Sequence, residues 1–258
     1  MSNLNKTEAG ARHELVPTSV GTARLDWFPA PGQPRAVALL GHGTATGVEA
    51  ADLQALAAVL PQHGITVVLV TQPYRVEGNP RVADPASLDS AWKAVWPRAA
   101  GLGLPVISGG RSAGSQVACR TAAELGALAV LVLAYPLLGP GSPRELLGTG
   151  RPTLIIQGGS DPFGRPAQFP PLPPQYELAE IPGANHMFAT SVSASRPAPL
   201  EQEHHIQGGG FPHVVYILFI CHPQDMDVHA FHRLARVIER VLGFVHHKVR
   251  HLAVDVAR

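Results

Sequence analysis

The sequence is poor in the features that mark exported, membrane-spanning and nucleic-acid-binding proteins. Its two cysteines, Cys119 and Cys221, lie far apart in 258 residues, which argues against a disulfide framework and favours a reducing compartment. Charged residues make up only 15% of the chain and the formal net charge is +1, so the overall charge offers nucleic acid little attraction. The longest apolar runs, 128–138 and 214–221, fall short of the ~20 residues that a transmembrane helix needs. We therefore expect neither nucleic acid nor a membrane as a partner.

The polar N-terminus also lacks the apolar centre of a signal peptide. We expect a cytoplasmic protein whose first stretch, residues 1–20, is loose. Hydrophobic residues make up 45% of the chain, enough to bury the core of one medium-sized domain without disulfides or a metal. The 26 glycines and 25 prolines exceed the usual ~12% share of these two residues together, and we assign the excess to loops. Nothing in the sequence fixes an oligomeric state.

Short apolar runs alternate with helical spacing over residues 21–190. This alternation predicts one domain of class α/β, with a mostly parallel, doubly wound sheet and helices on both faces. Catalytic residues on such sheets lie at the carboxyl ends of the strands. The predicted strands are 21–28, 36–43, 65–70, 104–108, 127–134, 153–157 and 176–181, and the predicted helices are 48–60, 84–100 and 116–127.

The apolar run 104–108 leads into a glycine turn and then into a predicted helix. The turn, GRSAG at 110–114, fits the G-x-S-x-G nucleophile elbow, in which a serine stands on a strained turn above the sheet. The flanking Gly110 and Gly114 would let the strand and helix backbones approach closely. In a chain with 26 glycines the pattern alone is weak, but its place between a strand and a helix is what the elbow requires. Ser112 is therefore the candidate nucleophile.

Two further polar residues follow later predicted strands. Asp161 lies in QGGSDPFG after strand 153–157, and His186 lies in PGANH after strand 176–181. A serine hydroxyl becomes nucleophilic when a base takes its proton, and a neutral imidazole can do so near pH 7 while a carboxylate fixes its tautomer. The order Ser112, Asp161, His186 therefore predicts a catalytic triad of nucleophile, acid and base.

Hydrolysis by such a triad also requires two N–H donors for the oxyanion that forms on the attacked carbonyl. We predict the backbone amides of Ala113 and of Thr44, which lies in HGTATG after the strand at 36–43. His42 and Gly43 precede Thr44, and we predict that they support its loop, because His186 has the better position for a base. The predicted chemistry uses no cofactor and no metal.

Four segments, LLGHGTATG, GGRSAG, QGGSDPFG and PGANH, together resemble the α/β-hydrolase superfamily. The closer resemblance is to small bacterial α/β hydrolases related to dienelactone hydrolase, and to the hydrolase-like domain of NSL-complex subunits and testis-expressed proteins. It rests on VTQPYRV, LDSAWKAVW and GGRSAGSQVACRTA, and covers residues 22–188. The resemblance implies an α/β-hydrolase fold with Ser112 as nucleophile, Asp161 as acid and His186 as base.

Residues 134–153 hold no long insertion that would form a large lid, so small, accessible acyl substrates such as carboxylic esters or thioesters are favoured. The alternative is a hydrolase-like module that has lost catalysis and binds a ligand or partner. In that case Ser112 would be a turn residue, Asp161 would initiate a turn before Pro162, and His186 would be a loop residue. A dienelactone-type activity would favour a cysteine nucleophile, whereas this elbow carries serine.

Several polar residues near the motifs have simpler interpretations. We interpret Ser108 and Ser115 as packing or capping residues of the elbow. Gln72, Tyr74 and Arg75 follow the strand at 65–70, and either line the pocket or shape the loop.

The chain after residue 190 departs from the pattern of these relatives. Residues 191–258 form an atypical extension in which nine of the 13 histidines lie, including the pair His229 and His232. We do not assign a metal site to them, because no cysteine or carboxylate cluster completes one. Residues 225–245 have amphipathic spacing and predict a closing helix. The alternative is that the extension was not selected for this fold, as in an altered reading frame or a read-through product.

Overall fold

The computed structural model describes residues 12–139, 141–189, 241 and 243–249. These residues build an eight-stranded sheet with the order β1-β2-β4-β3-β5-β6-β7-β8. Strands β2 to β1 and β2 to β4 pair antiparallel, and the remaining neighbours pair parallel. The strands are β1 Arg12–Thr18, β2 Gly21–Phe28, β3 Ala36–Gly41, β4 Ile65–Thr71, β5 Val106–Arg111, β6 Ala129–Leu133, β7 Thr153–Gly158 and β8 Tyr176–Ile181.

Helices cover both faces of the sheet, as the alternating pattern predicts. One core contains α1 together with Val241, Phe244 and Val245, and the other contains α3 and α4. None of the helices in the described part of the chain is long and apolar enough to cross a membrane. The helices are α1 Ala51–Val59, α2 Pro73–Val76, α3 Pro85–Ala100, α4 Ala113–Thr121 and α5 Pro143–Leu147, with 3-10 turns at Leu60–His63 and Pro166–Gln168.

The central strands explain why the sheet is mostly parallel. Every residue of β3, β4, β5, β6 and β7 is buried, because helices cover both faces, and this is the environment that continuous apolar runs favour. Strand β8 at the edge alternates buried and exposed positions instead. The predicted fold class, a mostly parallel doubly wound α/β sheet, is confirmed.

The expectation of a loose N-terminus is wrong for Arg12–Thr18. This segment is β1 and forms a hairpin with β2 across the turn at residues 19 and 20. Burial in β1 does not follow hydrophobicity, since Glu14 is buried while Leu15 is exposed. Trp27 donates its indole N–H to Glu14, which satisfies the buried carboxylate. The order of polar and apolar residues in this segment therefore does not reveal which positions of the strand are buried. Residues 1–11 lie outside the described residues.

The predicted helix at 84–100 is confirmed, and two other helices have different bounds. Asp84 caps α3 by accepting from the Ser87 N–H at 3.0 Å, as its position before Pro85 predicts. Helix α1 is shorter than the predicted 48–60. Helix α4 begins directly after Ser112 rather than at 116 and ends at Thr121, because the elbow turn passes straight into the helix.

The chain returns to the core near its C-terminus. Residues 241 and 243–249 are helical, and Val241, Phe244 and Val245 are buried in the same core as Ala184 and Phe188. This helical segment overlaps the end of the predicted closing helix and continues beyond its predicted end at 245. Residues 225–240 of that prediction, and most of the extension at 191–258, lie outside the described residues.

Candidate active site

Ser112 occupies the turn between β5 and α4 in a backbone conformation that side chains rarely adopt. Its φ is 50° and its ψ is −116°, and a residue held in such a region costs on the order of 1–3 kcal/mol. The Ser112 N–H donates to the Leu133 carbonyl oxygen at 2.9 Å, which fixes the turn to the end of β6. The strained serine of the elbow therefore stands at the carboxyl edge of the sheet.

Glycines hold the elbow against the neighbouring strand β3. A Cβ at Gly110 would lie 2.5 Å from the carbonyl oxygen of Gly41, and a Cβ at Gly114 would overlap the same oxygen. The obstacle in both cases is backbone, which cannot rotate away as a side chain can. The glycines before and after Ser112 are thus required by contact between strand, turn and helix.

The structure brings the three predicted triad residues into one hydrogen-bonded line. Ser112 Oγ lies 3.0 Å from His186 Nε2, and His186 Nδ1 lies 2.9 Å from Asp161 Oδ2. An imidazole that donates from Nδ1 to a carboxylate presents an unprotonated Nε2 to the hydroxyl, as a general base must. The arrangement can activate Ser112 for attack on an acyl carbon.

Asp161 makes two kinds of contact, one structural and one directed at the histidine. Its Oδ1 accepts from the Phe163 N–H at 2.8 Å, which is the turn contact that the alternative interpretation expects. Its Oδ2 accepts from Gln157 Nε2 at 2.8 Å and faces His186. Gln157 is fully buried and accepts from the Tyr135 N–H, so the orienting amide is itself held in place. Sequence reasoning missed Gln157, which looked like the end of a strand.

His186 is held from both sides of its loop. Asn185 accepts from the N–H groups of Met187 and Ala189, and the Phe163 ring packs edge-on against the imidazole with centroids 4.7 Å apart. The carbonyl of His186 accepts from Arg111 Nη2 at 2.7 Å. Sequence reasoning also missed Arg111, although a charged residue at the end of a buried strand was a signal that could have identified it.

Ser112 opens into a cavity of about 180 Å³. Ala113 is the first residue of α4, so its N–H has no acceptor within the helix. Thr44, on the loop after β3, lines the same cavity as Ala113, and the role of the two amides as oxyanion donors stays a prediction. The lining residues are Thr44, Ala45, Arg111, Ser112, Ala113, Gln116, Pro136, Phe163 and His186.

His42 is buried behind the cavity and uses both ring nitrogens on backbone. Its Nδ1 donates to the Gly43 carbonyl at 2.7 Å, and its Nε2 accepts from the Gln72 N–H at 3.1 Å. Burial lowers the pKa of His42 below its ordinary value, which favours the neutral ring that this pattern needs. His42 therefore joins the loop after β3 to the loop after β4. These contacts agree with the prediction that His42 supports the loop of Thr44, and that role stays a prediction.

The remaining residues near the motifs have structural contacts. Ser115 Oγ donates to the Ser112 carbonyl at 2.6 Å, and Ser108 is fully buried in β5. Tyr74 lines a much smaller space behind the elbow, while Arg75 pairs with Glu49 at 3.1 Å. Burial raises the pKa of the Cys119 thiol well above its ordinary value, which disfavours the thiolate form that a cysteine nucleophile requires.

No group of three or more metal-ligating side chains occurs within residues 12–139, 141–189 and the helical positions near 245. His229 and His232, which the sequence singles out, lie outside the described residues.

Comparisons with solved structures show the same fold. An α/β serine hydrolase without a lid from Xanthomonas campestris aligns with 71% of this chain and 89% of its own, at 23% identity and a TM-score of 0.60. A dienelactone hydrolase from Anabaena variabilis aligns over 69% and 89%, at 24% identity and 0.55. Esterase 2 from Thermogutta terrifontis, solved as its paraoxon-phosphorylated form, aligns over 73% and 88%, at 15% identity and 0.54.

Sequence comparison places the chain in a family. No curated protein matches the sequence significantly. A family model described as an alpha/beta hydrolase domain matches residues 34–207, which is more than half of the chain and includes the elbow, the acid loop and the base loop. With the strand order described above, this match shows that the chain belongs to the alpha/beta hydrolase family.

Proposed function

We propose that the protein is a serine hydrolase that cleaves a small carboxylic ester, thioester or related acyl substrate through an acyl-enzyme on Ser112. The observation that carries this proposal is the hydrogen-bonded line from Ser112 Oγ through His186 to Asp161, with distances of 3.0 and 2.9 Å. The line ends in a cavity large enough for a small acyl group. Membership in the alpha/beta hydrolase family supports the same chemistry.

In the proposed reaction, Ser112 Oγ attacks the acyl carbon while His186 Nε2 takes the hydroxyl proton. The carbonyl oxygen becomes an oxyanion, which accepts from the N–H groups of Ala113 and Thr44. His186 then gives the proton to the leaving alcohol or thiol, and the acyl group stays on Ser112. Water attacks this ester, with His186 taking its proton and returning it to Ser112. Asp161 stabilises the imidazolium in both halves of the reaction.

The shape of the site supports a small acyl group joined to an apolar leaving group. The cavity of about 180 Å³ is below the ~300–1,000 Å³ of common ligand pockets. The loops after β6, β7 and β8 each carry an exposed apolar side chain: Leu138, Phe163 and Met187 are 58%, 43% and 44% exposed. The Leu138 N–H donates a hydrogen bond to the Phe163 carbonyl oxygen, and Met187 directly follows His186 in the chain. Apolar surface beside a reacting centre favours contact with an apolar substrate group.

The direct test is labelling with a fluorophosphonate, which reacts with an activated serine. We expect the wild-type protein to be labelled and Ser112→Ala to be unlabelled, with kcat/KM for esters about 10⁴-fold or more lower, because triad members act as a unit. Ser90→Ala, which changes a partly buried serine of α3 that forms a hydrogen bond with Ser19, is the control and should label like wild type. A series of aryl esters then measures acyl length, and we expect the shortest chains to be preferred.

An unlabelled wild-type protein, or equal labelling of Ser112→Ala, would contradict the proposal. The alternative function, a hydrolase-like module that binds a ligand or partner without catalysis, would then be favoured.

We further propose that the chain is related to the small bacterial dienelactone-hydrolase-related group and to the hydrolase-like domain of NSL-complex and testis-expressed proteins. The motifs quoted above and the fold of the Anabaena variabilis dienelactone hydrolase support this placement. Ser112 stands where that activity favours cysteine, so dienelactones are not the proposed substrate. A cytoplasmic location and a small-molecule partner are parts of the same proposal.

A further inference from the structure

The guanidinium of Arg111 joins three segments of the candidate site. Its Nε donates to Asp52 Oδ2 on α1 at 2.9 Å, and its Nη2 donates to the His186 carbonyl at 2.7 Å. Its Nη1 lies 3.4 Å from Thr46 Oγ1, a weak third contact in the loop after β3. Because Arg111 immediately precedes Ser112, one side chain connects the elbow, the loop of Thr44 and the loop of His186.

Arg111 also packs against the backbone that leads to the predicted oxyanion donor. A Cβ at Gly43 would lie 3.2 Å from Arg111 Nη1 and 3.2 Å from Ser112 Cβ. A side chain at Gly43 would therefore crowd the guanidinium, and Gly43 lets the backbone before Thr44 pack closely against Arg111.

The burial of this ion pair makes stability alone a poor reason for it. The side chains of Arg111 and Asp52 are 1% and 6% exposed. Removing both charges from water is unfavourable, and apolar residues of similar volume often stabilise a protein equally well. What an apolar pair cannot do is hold the His186 carbonyl, because that requires a donor in a fixed direction.

We propose that Arg111, fixed by Asp52, is a positioning residue for hydrolysis, which keeps the loop of His186 at bonding distance from Ser112 and aligned with the loop of Thr44. This inference rests on the proposed function. Loss of the carbonyl anchor lets the base loop shift, and a misplacement of about 1 Å in reacting groups can reduce the rate by about 10²-fold.

The main test is the double variant Arg111→Met/Asp52→Leu, which replaces the buried pair by apolar side chains of similar size. We expect it to fold, and its kcat to fall by about 10- to 10²-fold while KM changes much less. A matched control is Arg120→Met/Asp89→Leu, which removes a second Arg–Asp pair, with contacts of 2.7 to 3.1 Å, between α4 and α3. The control should keep the wild-type kcat.

Arg111→Lys provides a second variant in case the double variant does not fold. Lysine keeps the positive charge beside Asp52, but its single ammonium cannot reproduce the planar fork that serves two acceptors. We expect a folded protein with reduced kcat. Wild-type kcat in either folded variant would overturn the inference.

A spectroscopic measurement separates this inference from the proposed function. The proton on His186 Nδ1, bonded to Asp161, should give a downfield NMR resonance that disappears in Asp161→Asn. We expect the folded Arg111 variants to weaken or broaden it, whether or not the wild-type protein turns over esters. An unchanged resonance in these variants would overturn the positioning role, whereas failure of fluorophosphonate labelling would overturn only the proposed function.

Discussion

Ser112, His186 and Asp161 lie in one hydrogen-bonded line. Different interactions position the elbow that carries Ser112 and the loops that carry Asp161 and His186. At the elbow the absence of side chains is decisive, since Gly110 and Gly114 touch the backbone of β3. In the acid and base loops the presence of particular side chains is decisive, since Gln157 and Arg111 donate to the groups that must be oriented. Ser112 is thus positioned by backbone packing, and Asp161 and His186 are positioned by side-chain hydrogen bonds.

Because of this difference, we expect substitutions in the two regions to affect different properties of the protein. Damage to the elbow removes space that the fold requires, so it should appear as lost stability. Damage to the acid or base loop leaves the sheet intact, so it should appear mainly as lost activity. Gly114→Ala tests the elbow, and Gln157→Leu tests the loop of Asp161.

Gly114→Ala should cause the largest loss of stability. The new methyl group would overlap the Gly41 carbonyl, and overpacking of a well-packed site costs about 1–3 kcal/mol, with the upper end expected where the obstacle is backbone. The control is Gly103→Ala, where φ is +68° but no atom lies within 4 Å, so that only backbone strain of about 1 kcal/mol is expected. Urea unfolding of both variants measures the difference. Equal losses would show that contact with β3 does not fix the elbow.

Gln157→Leu should act mainly on turnover. Leucine has a similar size but no donor for Asp161, so the carboxylate loses an orienting partner, and we expect kcat to fall by up to about 10²-fold. The buried groups that Gln157 serves add a smaller stability loss, about 1–3 kcal/mol.

Gln54→Leu is the control for this change. Gln54 Nε2 donates to the Val48 carbonyl at 2.7 Å, between α1 and the last residues of the loop before it, so its loss removes no donor to Asp161 and should leave kcat unchanged. If both glutamine variants lower kcat equally, the orientation of Asp161 does not depend on Gln157.

His42→Gln should have the smallest effect, visible as a change in pH dependence. Burial lowers the pKa of His42 below the ordinary value of 6.5, so the unfolded chain binds a proton that the folded protein does not. The wild-type free energy of unfolding should therefore fall as the pH drops below 6.5. Glutamine retains an acceptor toward the Gln72 N–H but does not titrate. Unfolding midpoints from pH 5 to 8 should show a flatter profile for the variant, and parallel profiles would contradict the buried neutral state.

Features set by backbone packing could be predicted from the sequence, whereas most side-chain contacts could not. The elbow is set by residues adjacent in the chain, so its motif and its place between strand and helix were readable. The sheet was readable because its central strands are continuous apolar runs. The places of Asp161 and His186 followed from strand ends, but Gln157 and Arg111 were not found, since their partners are distant or depend on side-chain direction. Strand β1 was missed because Glu14 is buried and Leu15 exposed.

The burial of the pair between Arg111 and Asp52 has a consequence for ionic strength. Dissolved salt shortens the Debye length from about 10 Å at 0.1 M to about 3 Å at 1 M, but it screens solvated charges far more than enclosed ones. The exposed pair of Arg75 and Glu49 should therefore weaken in salt, while the contact that anchors the base loop should not. Catalytic alignment in this protein is expected to be insensitive to salt, so that any salt dependence of turnover reports how the substrate approaches.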